Sequence, residues 1–189
     1  MTDDTPLDAS ALAAHFLADA RLTFAKYKAL AEGAMAQMSD DALFVAPDDG
    51  ESNSVAIVVR HLAGNMRSRW TDFLTTDGEK PGRDRDSEFE PYDPSRATRT
   101  ALLEDWESGW RALFDALDGL EPGDLGRTVQ IRGEPHSVTQ ALTRQIAHYA
   151  YHVGQIVYVA KMLRAGDWKT LSIARRASRR FNEELGHRP

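Results

Sequence analysis

Apolar residues recur every three or four positions in four separate stretches of the chain, and this spacing predicts four amphipathic helices. The predicted helices cover about residues 8–37, 53–74, 95–117 and 137–163, and the apolar stripe of the first begins at Leu12. The fourth stripe is the most regular. The pattern therefore predicts a mainly helical protein.

The connections between these helices are uneven in length. A loop around Pro47 and Gly50 follows a possible helical turn at Asp40–Phe44, and alternating apolar residues at Val129 and Ile131 predict a small β-hairpin before the fourth helix. The polar segment TTDGEKPGRDRDSEFEPYDP, after the second helix, is longer than most connections in compact domains. Because long ordered loops are often functional, we expect this loop to cover part of a site.

Four long helices and one small hairpin predict an all-α fold, a four-helix bundle with a small β-hairpin or extended excursion before helix 4. A chain of 189 residues is suited to one domain with a substantial core. We therefore expect residues 1–189 to form a single domain, with a C-terminal tail from about residue 165 to 189 packed on it.

Composition limits the chemistry that the chain can perform. Hydrophobic residues make up 42% and charged residues 28%, as in soluble globular proteins, and the apolar runs are too short to span a bilayer. The N-terminus MTDDTPLDAS has no features of a secretory signal, so we expect a cytoplasmic protein without a membrane partner. The absence of cysteine excludes thiolate nucleophiles and Cys-ligated zinc, so any metal must be bound by His, Asp or Glu.

The charge distribution is uneven. The net charge of −6 argues against general nucleic-acid binding, although residues 161–189 carry +5 and the remainder −11. We favour a basic tail that packs against the acidic body or a second subunit. One alternative is that the tail forms an anion or phosphate site. Another is that Arg175–Arg180 contact nucleic acid, in which case the affinity for nucleic acid would fall steeply with salt.

Two histidines of the fourth helix lie four residues apart. His148 and His152 therefore project only about 40° apart, one turn above the other. Metal sites of the HExxH type use this spacing, but the glutamate that follows the first histidine there is missing, so we expect no peptidase activity. Alone, the pair is better explained by two ordinary interior or surface histidines on a helix face than by a metal site.

A third histidine favours a metal site. His61 lies near the middle of the second helix, and a bundle can bring it against the pair on the fourth helix. Three imidazoles can hold Zn²⁺, Ni²⁺ or Fe²⁺ and leave positions open for water or substrate. His15, His136 and His187 lack helical partners, and we interpret them as structural or surface residues.

Four polar side chains are candidates for catalytic roles near these histidines: Asn65, Arg69, Tyr151 and Gln155. Asn65 could hydrogen-bond a bound water or an imidazole, and Arg69 could hold a substrate carboxylate, but both could equally lie on the outer face of the helix. Gln155 follows His152 by three residues and could line the same cavity.

Other residues near the candidate site have simpler interpretations. Asp86, Glu88 and Glu90 in the long loop could supply a carboxylate or a general base, but loop carboxylates are mostly solvated, and we favour that interpretation. Trp70 is predicted to belong to the core. Tyr149 is predicted to pack in the interior with its hydroxyl at the rim of the cavity.

Three segments resemble a known family: HLAGNMRSRWTDFLTTDGEKPGRDRDSEFE, HYAYHVGQIVYVAKML and DWKTLSIARRASRRFN. In sequence and order they resemble the DUF1572 family, a branch of the DinB/YfiT-like superfamily of bacterial metalloenzymes, over most of the chain. The resemblance implies a four-helix bundle that frequently forms a homodimer. It also implies a metal held by one histidine of the second helix and two of the fourth, which correspond to His61, His148 and His152.

The same resemblance suggests a reaction. The superfamily includes bacillithiol S-transferases and a mycothiol-dependent maleylpyruvate isomerase, in which the metal is thought to bind and ionise a small-molecule thiol. The resemblance therefore implies that this chain is a divalent-metal-dependent enzyme that acts on a small-molecule substrate. The simplest such enzyme is a thiol S-transferase that uses a low-molecular-weight thiol as cosubstrate. A metal-dependent hydrolase and a non-enzymatic metal- or ligand-binding stress protein are the alternatives.

Overall fold

The computed structural model describes residues 8–93, 95 and 97–186, and in this part of the chain it is an all-α bundle with one small hairpin. The helices are α1 (Ala9–Met35), α2 (Val55–Trp70), α3 (Arg99–Asp118), α4 (Val138–Arg164) and the short α5 (Ser178–Glu184). Antiparallel strands β1 (Thr128–Ile131) and β2 (Glu134–Ser137) come directly before α4. Short 3₁₀ turns cover residues 41–44, 48–50, 86–89, 122–126 and 165–167. The predicted fold class and hairpin are confirmed.

The core lies between the four long helices. Helix α2 packs on both α3 and α4, and α1 packs on α4. Large aromatic side chains fill the space between them, namely Phe24, Trp70, Trp106, Trp110 and Tyr149. Removing such large apolar surfaces from water is the dominant stabilising term for a bundle of this kind. The stripe predicted for α1 is wrong at its start, because Leu12 is 61% exposed.

Helix α2 ends at Trp70, four residues before the predicted end. Thr71 is extended, and Asp72 adopts a left-handed conformation with φ of 49°. Its carbonyl then accepts hydrogen bonds from the backbone N–H groups of Thr75 and Thr76. Aspartate tolerates the left-handed region better than most residues, so the helix can stop here although Phe73 continues the apolar pattern.

Helix α3 begins at Arg99 and not at the predicted Ser95. The Thr98 side chain accepts a hydrogen bond from the Ala101 N–H, which caps the helix at that point. Ser95 instead donates to the Asp93 carboxylate from both its backbone N–H and its hydroxyl. The end of the long loop therefore has its own turn.

The long loop is tied to the hairpin on one side and to α2 on the other. The Asp77 carboxylate accepts from the backbone N–H groups of Arg132 and Gly133, at 2.9 and 2.7 Å. On the other side, Arg60 of α2 donates to the carbonyl oxygens of Glu88, at 2.8 Å, and Glu90. These bonds hold the loop over the α2–α4 face of the bundle.

The chain after α4 contacts the end of α1. Gln37 exchanges two hydrogen bonds with the backbone of Lys169, and Leu171 lies against Gly33. The arginines from 175 to 180 are exposed, and within the described residues they form no ion pair with another helix. The tail thus contacts the bundle through Lys169 and Leu171, whereas Arg175–Arg180 make no ion pair with the acidic body among the described residues. His187 lies outside the described residues. No helix in the described ranges has the length and apolarity needed to cross a membrane.

Alanine substitution should have opposite effects on stability at two glycines, one at the close contact of α2 and α3 and one on an open face of α4. A Cβ on Gly109 of α3 would lie 2.8 Å from the Ala63 Cα, whereas one on Gly154 of α4 would meet nothing within 4 Å. We expect Gly109→Ala to lower the free energy of unfolding by about 1–3 kcal/mol through overpacking. Gly154→Ala should raise it by about 0.5–1 kcal/mol. Urea denaturation measures both, and equal effects would contradict the packing described here.

Candidate metal centre

Three histidines converge between α2 and α4. His148 and His152 lie one turn apart on α4, His61 approaches from α2, and one ligand nitrogen of each lies within 4.8 Å of the other two. The Nε2 atoms of His61 and His148 are 3.4 Å apart. Within the described residues the group includes no cysteine and no carboxylate. The group could therefore hold a metal ion by imidazole nitrogen alone.

A buried carboxylate orients His61. Its Nδ1 lies 2.8 Å from Oε2 of Glu88, which the 3₁₀ turn 86–89 brings to the site and which is only 7% exposed. The prediction that Glu88 is solvated is therefore wrong. An ionised carboxylate only accepts hydrogen bonds, so Nδ1 of His61 carries a proton, and in the neutral imidazole Nε2 then has the lone pair.

The charge of Glu88 is itself stabilised. Arg83 donates from Nε to Oε1 and from Nη2 to Oε2, both at 2.8 Å. Burial opposes ionisation of Glu88, but the hydrogen bonds from His61 and Arg83 outweigh it and hold the pKa of the carboxyl below its usual value. Gly64, one turn after His61, leaves room for this arrangement, since a Cβ there would overlap Oε1 of Glu88.

Two glutamines orient the histidines of α4, as Glu88 orients His61. Oε1 of Gln145 lies 3.2 Å from Nδ1 of His148, and Oε1 of Gln155 lies 2.8 Å from Nδ1 of His152. Each glutamine is three residues from its histidine, a spacing at which helix side chains meet. Gln155 therefore contacts His152 on the side away from the cavity. The prediction that Gln155 lines the cavity is wrong.

This outer layer of hydrogen bonds makes the centre suitable for a cation. When every Nδ1 donates outward, the three Nε2 atoms carry lone pairs, and His61 and His148 have no proton to share across their 3.4 Å separation. Such lone pairs repel one another, and a bound cation would remove the repulsion. Three neutral imidazoles with hydrogen-bonded outer nitrogens are a typical ligand set for Zn²⁺, Ni²⁺ or Fe²⁺.

Burial keeps the α4 imidazoles neutral. It lowers the pKa of His148 to about 3, helped by the neighbouring imidazoles and Arg69. It also lowers the pKa of His152 to about 4, although the hydrogen bond with Gln155 opposes the shift. Both side chains are therefore in the metal-binding form at neutral pH.

A cavity of about 520 Å³ opens beside the three histidines. Asn65 and Arg69 line it and are only 5% and 3% exposed, so the alternative that they lie on the outer face is wrong. Tyr151 stands at its mouth, 55% exposed, with its ring 4.3 Å from that of His152. Phe89 of the long loop lies against His61, with the ring centroids 4.8 Å apart. The loop therefore covers part of this cavity, as its length suggested.

A buried chain of hydrogen bonds holds Asn65. Nε1 of Trp70 donates to the Tyr149 hydroxyl, which donates to Oδ1 of Asn65, and both distances are 3.0 Å. Trp70 belongs to the core as predicted, but Tyr149 is fully buried, so its hydroxyl is not at the rim. Burial also raises the pKa of Tyr149, which remains a protonated donor.

The sequence patterns missed several residues of the site. Gln145 could have been found, because it lies three residues before His148 on the same helix face. Arg83 has no comparable signal. It comes from the polar loop, and only the folded chain brings it to the Glu88 carboxylate.

A family model described as a protein of unknown function (DUF1572) matches residues 11–177. The match includes α2, α3, α4, the hairpin and the long loop, and so it contains every side chain of the site described above. Three histidines on two helices of such a protein are compatible with several kinds of metal chemistry.

The low pKa values of His148 and His152 predict acid sensitivity of the metal-free protein. The folded state binds protons there only near pH 3 and 4, whereas an unfolded histidine binds them near 6.5. Between these values the unfolded state binds more protons, so the free energy of unfolding falls as pH falls from about 6.5 to about 4. The slope is at most about 1.4 kcal/mol per pH unit for each histidine.

Urea denaturation at several pH values, in the presence of a chelator, measures this dependence. A His148→Gln, His152→Gln double variant is the control and should show a flatter profile over the same window. An equally steep profile in that variant would assign the acid sensitivity to other groups.

The Glu88 hydrogen bond predicts a loss of metal affinity in Glu88→Gln. The neutral amide orients His61 less strongly and no longer increases its basicity, so affinity should fall by about 10- to 100-fold. Competition with a chromogenic chelator measures the change. Glu90→Gln, in the same loop but exposed, is the matched control and should leave affinity unchanged. Equal affinity in the Glu88 variant and the wild type would remove Glu88 from the metal centre.

Proposed function

The chain belongs to the DUF1572 family, and from its site we propose that it is a divalent-metal-dependent enzyme that transfers a low-molecular-weight thiol to an electrophilic carbon. One observation supports this proposal most strongly. Three imidazoles, each hydrogen-bonded through Nδ1 to a neighbouring side chain, line a cavity of about 520 Å³. His61, His148 and His152 would hold the ion, each through one ring nitrogen.

A divalent ion bound there would act as a Lewis acid and lower the pKa of a thiol or water beside it. Because the chain contains no cysteine, the thiol would enter as a substrate. In the reaction the thiol gives its proton to water, its sulfur forms a bond to the electrophilic carbon, and the leaving group departs with the electron pair of the bond that breaks.

The residues around the cavity favour thiol transfer over hydrolysis. No aspartate or glutamate of the described chain lines it, and the nearby Glu88 is held by His61 and Arg83. Burial raises the pKa of Tyr151, so its phenol stays protonated. A thiol ionises near pH 8.5 and needs little help from a base, whereas water, with a pKa of about 15.7, needs much more.

The remaining candidate residues have positioning roles in this proposal. Asn65 has its oxygen engaged by Tyr149, so its amide N–H groups are the donors that it can offer to a substrate. Tyr151, at the mouth of the cavity, can donate from its hydroxyl. Gln155 acts through His152, whose orientation it sets.

The cavity also bears on the non-enzymatic alternative. A metal-sequestering protein would be expected to close its site with a fourth protein ligand. Here no fourth ligand, whether cysteine, histidine or carboxylate, joins the three histidines among the described residues, and all three line the cavity. The arrangement is better suited to a site that a substrate enters.

The first test is the metal content of the native protein by elemental analysis, beside a His148→Ala, His152→Ala double variant. We expect about one divalent ion per chain in the wild type and none in the variant, with circular dichroism showing the same helical content. The exposed His15→Ala is the control and should retain its metal. Well-folded wild type that cannot be loaded with any divalent ion would refute the proposal.

The same preparations distinguish the reaction classes. Consumption of a chlorodinitrobenzene electrophile that requires both metal and an added thiol supports transfer. Metal-dependent turnover of an ester without thiol supports the hydrolase. The wild type and the His15→Ala variant should behave alike in both assays.

A further inference from the structure

We propose that the cavity beside the three histidines binds a small substrate that carries at least two acidic groups. The proposal rests on the proposed function for the reaction and names the substrate class of the same site. It is based on the side chains that line the cavity, which are strongly cationic although the chain as a whole carries −6.

Five arginines line the cavity, and they come from four parts of the fold. Arg69 belongs to α2, Arg83 and Arg85 to the long loop, Arg132 to the turn of the hairpin and Arg144 to α4. In a chain with 29 acidic and 23 basic residues, a cavity lined by five arginines and, in the described chain, by no carboxylate is far from the average composition. Guanidinium groups are the usual ligands for carboxylates and phosphates.

Arg69 points most directly to a ligand. It is 3% exposed, and its Nε and Nη1 atoms are buried without a hydrogen-bond partner in the described chain. Burying a charged group with unpaired donors is unfavourable, and a guanidinium does not escape the cost by losing its proton at neutral pH. An anion in the cavity would provide the missing charge.

The surroundings of Arg69 are closely built. A Cβ on Gly78 of the long loop would overlap Nη1 of Arg69. The Gly78 N–H donates to the Gln130 carbonyl of β1, at 2.8 Å, and its own carbonyl accepts from the Ser68 hydroxyl, at 3.1 Å. The loop, the hairpin and α2 therefore surround the arginine and leave it almost without contact with solvent.

Two of the five arginines are partly neutralised. Arg83 forms its two bonds to Glu88, and Glu79 lies 3.3 Å from Arg83 and 3.4 Å from Arg132. The hairpin turn still presents Arg132 to the cavity, because its backbone N–H is held by Asp77 and its φ is 56°.

Three cations then lack a buried counter-ion. Arg69 and Arg144 form no ion pair within the described residues, and the partner of Arg85, Asp86, lies 3.7 Å away and is almost fully exposed. Arg85 lies 4.9 Å above the Phe89 ring, which covers His61. Arg69 is buried, whereas Arg85 and Arg144 are exposed to solvent. One acidic group can pair with the buried Arg69 and a second with Arg85 or Arg144, so we infer at least two acidic groups.

The arginines would oppose a divalent ion unless an anion accompanies it. Like charges repel, most strongly where they are buried and unpaired as Arg69 is, so the arginines do not serve the metal. An anionic substrate relieves the repulsion, and metal and substrate should therefore each increase the affinity for the other. A volume of about 520 Å³ is within the range for small molecules.

Calorimetric titration of the full-length protein with succinate, inorganic phosphate and the neutral succinamide tests the proposal. The protein is used as purified and again after metal removal by a chelator. We expect at least one of the two anions to bind both forms, more tightly with metal, and to bind at least about tenfold more tightly than succinamide. Affinity should fall as NaCl is raised. The tighter anion tells whether the acidic groups are carboxylates or phosphates.

Substitutions distinguish the cavity from a general surface effect. Arg69→Met and Arg144→Gln should each weaken anion binding by about tenfold or more, whereas the exposed Arg111→Gln of α3 should not change it. Without anion, Arg69→Met should keep or raise the melting temperature, because it removes an unpaired buried charge. Arg69→Lys should retain part of the affinity.

Some outcomes would overturn the proposal. They are the absence of anion binding to both forms, binding that Arg69→Met and Arg144→Gln leave unchanged, or binding that disappears with the metal and therefore occurs on the ion alone. A lower melting temperature of Arg69→Met without anion would make Arg69 a structural residue. Anion binding in a protein that cannot be loaded with metal would refute the proposed function and leave the acidic-ligand site standing.

Discussion

The buried hydrogen bond between His61 and Glu88 joins the parts of this protein that form the site. It fixes the proton on Nδ1 of His61, turns Nε2 toward the histidines of α4 and brings the long polar loop down onto α2. The bond requires Arg83 to stabilise the carboxylate and Gly64 to leave room for it. A buried carboxylate without these partners would be costly, so the loop and the group of three histidines depend on each other.

The electrostatics of the site have two opposite parts. The three imidazoles, two of them kept neutral by burial, offer lone pairs to a cation, while the arginines around the adjoining cavity offer charge to an anion. A cation alone would be repelled by the arginines, and an anion alone would leave the lone pairs facing one another. The arrangement is suited to a metal ion and an anionic ligand that bind side by side and each favour the binding of the other.

Local patterns predicted the helices and the hairpin well, because helical periodicity depends on residues only three or four apart. The same spacing placed His148 and His152 on one face of α4, and bundle geometry together with the resemblance to the family connected them with His61. The patterns were wrong where one backbone conformation overrode the apolar pattern, as at Asp72 after α2, and where a capping side chain fixed the start of α3 at Thr98. The patterns were also wrong for Glu88, because most carboxylates in loops are solvated and no local pattern distinguishes one that is buried.

The sequence by itself therefore determined the bundle, the hairpin and the three histidines that could share a metal ion. Only the tertiary structure decided that Glu88 and Arg83 support the centre and that five arginines surround its cavity. Those side chains come from a loop, a hairpin turn and two helices that are far apart in the chain. Their meeting depends on long-range packing and on hydrogen bonds between loop and hairpin, which no local periodicity encodes.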